Sequence, residues 1–485
     1  MRKLVIGSLK HVARALGYGA LGAFAALLVG FVVHLNNQPD LFVWHTVELD
    51  AEFTRDSDVD SFEDYLALEE RLFRQLDELV YEKVPAKQQT HFNRYASGSR
   101  SDPGIWDRNW NRSFVLEHAR PKAGVLLIHG LSDSPYSIRS AAMRLHRAGA
   151  YAVGMRVPGH GTAPSGLVRV TWEDMAAALR LGVRHVRQKI GDRPLYIVGY
   201  SNGGALAVHY ALMALEDGSL PRPDGLVLLS PMIGVSPAAA LAIWQERIGR
   251  LLGLEKLQWN SVLQEIDPYK YGSFAINAGN QSHQLTTEID QRLKALQQSG
   301  ELRHFPRLIA FQSAVDATVS APALVEKLMN RLSGGDHELV IFDVNRTAAA
   351  ENMLKHDPKE DLGQLLRASD RRYTLSLITN VNETDRSVET RRFAKSDEPI
   401  EVTPLGLNWP PTLFSLSHIA LPFPPEDPLY GSMHDPASEH VQLGDLALRG
   451  ERGVLAISPS EMLRIRWNPF YSYLEARMLA FTGLE

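Results

Sequence analysis

The sequence contains no cysteine, and that absence removes several kinds of chemistry at once. Disulfide bonds, thiolate metal sites and cysteine nucleophiles are excluded, and cysteine usage says nothing about the redox state of the compartment. A basic excess is also missing, since the formal net charge is -5. Proteins that bind nucleic acid use such an excess to offset phosphates, so we expect no nucleic-acid partner.

Two further patterns are missing. The histidines and acidic residues show no metal-ligand spacing such as His-x-x-x-His, so we expect neither a metal nor another cofactor. No internal repeat is evident. What remains is a chain of 485 residues that is 45% hydrophobic and 22% charged, which is typical of a globular protein with a large core.

The N-terminal segment is strongly apolar. The run 15–33 has no charged residue, with basic residues before it and acidic residues after it. A helix of about 20 apolar residues can cross a bilayer, and the basic flank normally stays cytoplasmic. We therefore predict a single-pass membrane anchor, with the main domain on the periplasmic or extracytoplasmic side. A cleavable signal peptide is the alternative, although the bulky residues 32–35 offer no small-x-small cleavage site.

The rest of the chain alternates between apolar strand-like runs and helical patterns from residue 121 onward. This alternation predicts an α/β fold with a mostly parallel, doubly wound sheet. The predicted organisation is an anchor (1–35), a linker with an amphipathic helix and edge strands (36–120), a core in two parts (121–231 and 305–485), a helical cap between them (232–304), and a charged, irregular insertion in the second part (345–405).

The most informative motif is Gly199-Tyr200-Ser201-Asn202-Gly203, which lies between an apolar strand and a helix. A Gly-x-Ser-x-Gly in this context is a nucleophile elbow, because the flanking glycines permit the tight turn that exposes the serine. Ser201 is therefore the candidate nucleophile, against the alternative of an ordinary turn serine. The Asn202 N–H is the first candidate donor to an oxyanion.

Two other strand ends supply partners. The loop His129-Gly130-Leu131-Ser132 follows the first core strand, so we expect the Leu131 amide to be the second oxyanion donor. Asp316 follows the strand 307–311 in a loop and is the candidate acid, although it could simply cap the next helix. Asp343 is a weaker competitor, because it ends its strand too late to precede the base comfortably.

The base should be a histidine C-terminal to the acid, in the order Ser, Asp, His. The histidines in that region are His337, His356, His418, His434 and His440. His418 is predicted to be the base, because it lies in an apolar stretch that could orient an imidazole. His356 and His434 remain the alternatives.

Together these residues resemble the α/β-hydrolase superfamily and, within it, the monoglyceride-lipase and serine-aminopeptidase-like branch. The resemblance covers roughly 120–345 and the piece around His418, and the matching motifs are Leu127-Ile128-His129-Gly130-Leu131, Arg156-Val157-Pro158-Gly159-His160-Gly161, the elbow, and 313–318. It implies that His160 is structural and shapes a loop behind the site. It also implies a histidine soon after the last core strand, where this chain has Asn345-Arg346.

The resulting hypothesis is a membrane-anchored serine hydrolase that cleaves carboxylic esters through an acyl-enzyme. The expected substrate is a small-molecule or lipid ester, and the apolar faces of the cap favour a hydrophobic acyl group. The alternatives are a peptidase or aminopeptidase, an acyltransferase that uses the same three residues, and a non-catalytic, membrane-tethered binding protein with a hydrolase scaffold.

Overall fold

The computed structural model describes residues 39–234, 255–334, 336–348, 358–367, 371–394, 398–444 and 462–485, with residue 354 and short pieces at 17–19, 22–23 and 29–30. The strands are β1 Phe114–Leu116, β2 Ala123–Ile128, β3 Ala150–Met155, β4 Leu195–Tyr200, β5 Gly225–Leu229, β6 Trp259–Ser261, β7 Phe274–Ala275, β8 Arg307–Ser313, β9 Glu338–Phe342, β10 Thr374–Asn382, β11 Asp385–Phe393 and β12 Glu401–Asn408. The α-helices are α1 Val43–Thr46, α2 Phe62–Leu79, α3 Tyr136–Arg147, α4 Gly166–Arg169, α5 Trp172–Ile190, α6 Asn202–Glu216, α7 Ile276–Ser299, α8 Ala321–Leu324, α9 Pro358–Arg367 and α10 Tyr471–Thr482.

One large sheet organises the described part of the chain. Ten strands form it in the order β1-β3-β2-β4-β5-β8-β9-β10-β11-β12. Every neighbouring pair from β3 to β10 is parallel, whereas β1, β11 and β12 pair antiparallel at the two edges. The mostly parallel sheet predicted from the strand–helix alternation is confirmed.

Helices cover both faces of this sheet. Successive side chains of a strand point to opposite faces, so Leu126 and Ile128 of β2 enter one apolar cluster, with residues of α5 and α6. Val125 and Leu127 enter the other cluster, with residues of α3 and α10. Strands that are buried on both faces read as continuous apolar runs, and this explains why they stood out in the sequence.

The segment before the sheet packs against the core. Trp44 is 1% exposed and Phe53 is 4% exposed. Arg156, which follows β3, is buried and pairs with Glu52 at 2.9 Å and with Glu69 of α2 at 3.0 Å. These contacts join the N-terminal segment to the hydrolase-like core, while the predicted domain boundaries stay predictions.

The insertion predicted to be irregular over 345–405 adds three strands to the sheet. β10 continues the parallel order beside β9, and β11 and β12 return as antiparallel strands. Most of β12 is exposed, because it lies at the edge of the sheet. An edge strand keeps few apolar side chains, so its sequence reads as a polar loop.

The predicted membrane location is contradicted. Among the described residues, no helix is both long and apolar enough to span a bilayer. The long helices α2, α5 and α7 carry charged residues along their exposed faces, which a membrane interior would exclude. Most of the run 15–33 lies outside the described residues, as does the helix expected over 241–254 in the cap.

Candidate active site

Ser201 lies on a strained turn between β4 and α6. Its backbone has φ 53° and ψ -113°, a region that residues with a Cβ rarely occupy. A Cβ at Gly199 would approach Gly203 O to 2.4 Å, and one at Gly203 would approach Ile128 O to 2.3 Å. Glycine is therefore needed on both sides, because the backbone of α6 passes directly against the ends of β2 and β4.

Three predicted side chains lie in one hydrogen-bonded line. His418 Nδ1 is 2.8 Å from Asp316 Oδ2, and His418 Nε2 is 3.0 Å from Ser201 Oγ. A carboxylate can only accept, so His418 Nδ1 carries the hydrogen and Nε2 is left to accept from the Ser201 hydroxyl. The histidine and serine are 6% and 7% exposed. This arrangement can take a proton from the serine and stabilise the resulting imidazolium.

The Asp316 carboxylate is held by four hydrogen bonds. Its Oδ1 accepts from the amides of Thr318 and Val319 at 2.8 and 2.9 Å, and its Oδ2 accepts from His418 and from Gln312 Nε2 at 2.9 Å. Burial acts to raise the pKa of Asp316, but the His418 bond and the two amides lower it below its ordinary value. The acid is therefore ionised and fixed in direction.

His418 reaches the site by an unusual route through the fold. The chain leaves β9, adds the three edge strands and returns across the carboxyl ends of the sheet. Asn345, the residue found where the resemblance implies a histidine, receives the returning segment. Its N–H donates to Phe414 O at 2.7 Å and its Nδ2 donates to Leu413 O at 2.8 Å. Ser313 Oγ adds a bond to Leu416 O at 2.9 Å.

The two candidate oxyanion donors lie at the same edge of the sheet. Ile128 of β2 pairs in register with Gly199 of β4, so Leu131 and Asn202 each follow these paired positions by three residues. Within the described residues, neither of their amides has a protein acceptor. Both N–H groups are thus available to a ligand, which is the condition for an oxyanion hole.

His129 and His160 are structural in this geometry. His129 Nε2 accepts from Val157 N–H at 3.0 Å, so its Nδ1 carries the hydrogen and donates to Gly130 O at 2.8 Å. Burial lowers the pKa of His129 well below its usual value. His160 Nδ1 donates to Pro158 O at 2.9 Å within its own loop. Burial lowers the pKa of His160 to about 4, so both rings are neutral at pH 7.

The competing candidates lie elsewhere. Asp343 pairs with Arg346 at 2.8 Å and accepts from Thr379. His337 directly precedes β9, at the end of that strand far from Asp343, and accepts from Leu308 N–H. His434 is exposed, and His440 stacks on Trp106. His356 lies outside the described residues.

Gln312, Ser313 and Asn345 were not predicted from the sequence to have positioning contacts. A signal was present for Gln312, because it is a polar residue inside the apolar strand β8, four positions before Asp316. Among the described residues, no group of three or more His, Asp or Glu side chains is arranged to hold a metal ion.

A mostly parallel sheet, covered by helices and carrying a serine on the strained turn after a central strand, is the architecture of an α/β-hydrolase. Residues 119–345 match a family model described as "Serine aminopeptidase, S33". A thermostable monoacylglycerol lipase from Bacillus sp. (strain H-257) is 33% identical over 103 residues, which are 20% of this chain and 40% of that relative. The resemblance to the monoglyceride-lipase and serine-aminopeptidase-like branch is confirmed.

Solved structures also resemble part of the chain. A structure reported with the metagenome-derived lipolytic enzymes LipS and LipT is 19% identical, with a TM-score of 0.37, and covers 53% of this chain and 97% of its own. A soluble variant of monoglyceride lipase from Saccharomyces cerevisiae is 16% identical, with a TM-score of 0.36, and covers 48% and 82%.

Proposed function

We propose that the protein is a serine hydrolase that cleaves carboxylic esters through an acyl-enzyme. One observation carries the proposal: the line from Ser201 Oγ through His418 to Asp316, with distances of 3.0 and 2.8 Å. A serine hydroxyl is a weak nucleophile at neutral pH and needs such a base. The match to a monoacylglycerol lipase supports an ester as the substrate.

The reaction follows from the positions of the atoms. Ser201 Oγ attacks the ester carbonyl while His418 Nε2 takes its proton, and Asp316 stabilises the imidazolium. The carbonyl oxygen becomes an anion that accepts from the amides of Leu131 and Asn202. His418 then gives the proton to the alcohol oxygen as the C–O bond breaks. Water then attacks the acyl-enzyme while His418 takes its proton, and His418 returns that proton to Ser201 Oγ as the acyl C–Oγ bond breaks and the carboxylic acid leaves.

Apolar side chains around the elbow favour a hydrophobic acyl group. Met232 follows β5, and its N–H donates to Ser201 O at 3.0 Å. Ile233 is 2% exposed beside it in the same apolar cluster. Met175 of α5 contacts the Asn202 side chain at 3.5 Å. An alkyl chain bound against these groups gains about 0.8 kcal/mol for each buried methylene.

The test is turnover of p-nitrophenyl esters of increasing acyl length. Ser201→Ala and His418→Ala should each lower kcat by at least about 1,000-fold, while the exposed His434→Ala serves as the matched histidine control. A fluorophosphonate should label the wild type and not Ser201→Ala. Turnover by folded Ser201→Ala close to that of the wild type would refute the proposal.

Peptide hydrolysis is the second candidate, because the matching family model is described as a serine aminopeptidase. An aminopeptidase needs a carboxylate to bind the substrate amine. Asp133, in the loop after β2, is paired with Lys270 at 2.7 Å, so it is not free for that role. We expect turnover of p-nitrophenyl esters and none of aminoacyl arylamides, and the reverse preference would favour the peptidase.

A further inference from the structure

Ser132 directly follows the proposed oxyanion donor Leu131 and has a left-handed backbone. Its φ is 62°, which is unfavourable for any residue with a Cβ. Such a conformation persists only where neighbouring groups hold it in place, and it is common beside reacting groups. The groups that hold Ser132 therefore fix the backbone directly after Leu131.

The residues that hold Ser132 in this conformation, Lys270 and Tyr271, lie in the chain between β5 and β8. Tyr271 N–H donates to Ser132 O at 2.9 Å. Lys270 Nζ donates to Ser132 Oγ at 3.1 Å and to Asp133 Oδ1 at 2.7 Å. The Lys270 side chain is 27% exposed and that of Asp133 is 8% exposed, so the ion pair is only partly screened by water.

The other side of the Leu131 amide is fixed as well. Gly130 O accepts from His129 Nδ1 at 2.8 Å and from Asp133 N–H at 3.3 Å. In a trans peptide the carbonyl and the following N–H point in opposite directions, so fixing Gly130 O also fixes Leu131 N–H. A Cβ at Gly130 would lie 2.6 Å from Asp133 Oδ2, so the Asp133 side chain packs directly on this peptide.

Lys270 is itself firmly placed. The Asp267 carboxylate accepts from the amides of Tyr269 and Lys270 at 2.9 and 3.1 Å, which closes a turn around the lysine. Asn111 Nδ2 donates to Pro268 O at 3.0 Å. The backbone that carries Lys270 is therefore held in place by hydrogen bonds to the buried residues Asp267 and Asn111.

We infer that Lys270 is a positioning residue for the oxyanion hole, an inference that rests on the proposed function. Its ammonium group holds Asp133 and Ser132 so that the Leu131 N–H faces the anion formed on the substrate. Without the ammonium group, Asp133 is left as an almost buried carboxylate without its cation. Ser132 can then relax toward negative φ and Asp133 N–H can release Gly130 O, which frees the Gly130–Leu131 peptide to turn its N–H away.

The experiment compares Lys270→Met with the wild type on a p-nitrophenyl ester. We expect kcat to fall about 10- to 100-fold, somewhat less than the loss of a whole oxyanion donor, with KM within about threefold of the wild type. The affinity for an alkyl boronic acid, which forms a tetrahedral anion on serine, should fall by a similar factor. Lys294→Met is the matched control, because Lys294 pairs with Asp290 on the exposed side of α7.

Two further variants separate positioning from general damage. Lys270→Arg keeps the charge and should retain at least about a third of the wild-type kcat. Ser132→Gly added to Lys270→Met should recover part of the lost kcat, because glycine adopts φ 62° without strain. Should Lys270→Met not fold, Asp133→Asn takes its place with the same expected loss.

The outcomes are distinct. A Lys270→Met kcat within twofold of the wild type overturns the inference and leaves ester hydrolysis standing, as does an equal loss in Lys294→Met. If the wild type shows no Ser201-dependent ester turnover, the proposed function fails before any Lys270 variant is measured. The inference about Lys270 then fails with it.

Discussion

Gln312 and Asp316 are joined by a buried hydrogen bond that fixes the direction of the acid. Gln312 Nε2 donates to Asp316 Oδ2 at 2.9 Å, and the same oxygen faces His418 Nδ1 at 2.8 Å. The glutamine is fully buried, and its Nε2 also donates to Val319 O at 2.9 Å. The strand β8 therefore orients the carboxylate through a side chain as well as through its own backbone.

Replacing Gln312 by Leu should lower kcat by about 10-fold or more and leave KM nearly unchanged, since a hydrogen bond to a charged group contributes roughly 1.5–3 kcal/mol. Steady-state kinetics on an ester substrate measure the effect. Gln284→Leu is the control, because Gln284 is exposed on α7 and bonds only to Asn280 among the described residues. Equal activity of the two variants would contradict the positioning role.

Asn345→Leu should loosen the segment that carries His418. The side-chain bond from Nδ2 to Leu413 O at 2.8 Å is lost, and so are the bonds that Oδ1 accepts from the N–H and Oγ1 of Thr347, while the backbone bond to Phe414 remains possible. We expect kcat to fall by about 5- to 10-fold, because the bond to Leu413 is the one that reaches the His418 segment and a neutral hydrogen bond contributes about 1 kcal/mol, with KM unchanged. Asn382→Ala, at the exposed end of β10, should leave kcat unaffected. A loss that appears only in KM would speak against this role for Asn345.

Adjacent glutamates of α2 should differ sharply in their effect on stability. Glu69 is 5% exposed and binds Arg156, whereas Glu70 is 60% exposed and pairs with Arg112 at the surface. Glu69→Gln should lower the free energy of unfolding by roughly 1.5–3 kcal/mol, because it removes one of the two carboxylates that bind the buried Arg156 and leaves only Glu52. Glu70→Gln should cost less than about 1 kcal/mol. Urea unfolding of the two variants measures this difference. Similar unfolding midpoints for Glu69→Gln and Glu70→Gln would be inconsistent with a stabilising bond between Glu69 and Arg156.

His209 of α6 should make the protein less stable in acid. It is buried, and neither ring nitrogen has a hydrogen-bond partner among the described residues. Burial, helped by Arg292 and Arg180, lowers its pKa from 6.5 to about 3. Below pH 6.5, His209 therefore binds a proton in the unfolded chain but stays neutral in the folded protein. The free energy of unfolding consequently falls as the pH falls.

Below pH 6.5, the neutral His209 lowers the free energy of unfolding by about 1.4 kcal/mol for each pH unit, or by about 2 kcal/mol at pH 5. His209→Leu should remove this part of the pH dependence, since it loses no hydrogen bond and stays apolar against Trp172. Urea unfolding at pH 7 and pH 5 measures it. The exposed His434→Leu should leave the difference between the two pH values unchanged. If His209→Leu also left the difference between pH 7 and pH 5 unchanged, His209 would have to be protonated in the folded protein at pH 5.

Much of the sheet could be predicted because its central strands are buried on both faces. Runs such as 125–128 and 225–229 are continuously apolar, and no exposed position interrupts them. The edge strands β11 and β12 escaped prediction, because more than half of their side chains are not buried and neither strand forms a continuous apolar run. The membrane placement was wrong, since no helix in the described part of the chain is both long and apolar enough to span a bilayer.

The sequence by itself determined the elbow around Ser201, because the glycines needed by that turn are its immediate neighbours and the strain is local. It also indicated Asp316, which directly follows a strand. Only the tertiary structure decided how these groups meet. His418 lies 217 residues from Ser201 and 102 from Asp316 along the chain, and contacts over such distances depend on which strands pair. The docking of 413–416 on Asn345 and Ser313, and of Lys270 on Ser132 and Asp133, left no local pattern in the sequence.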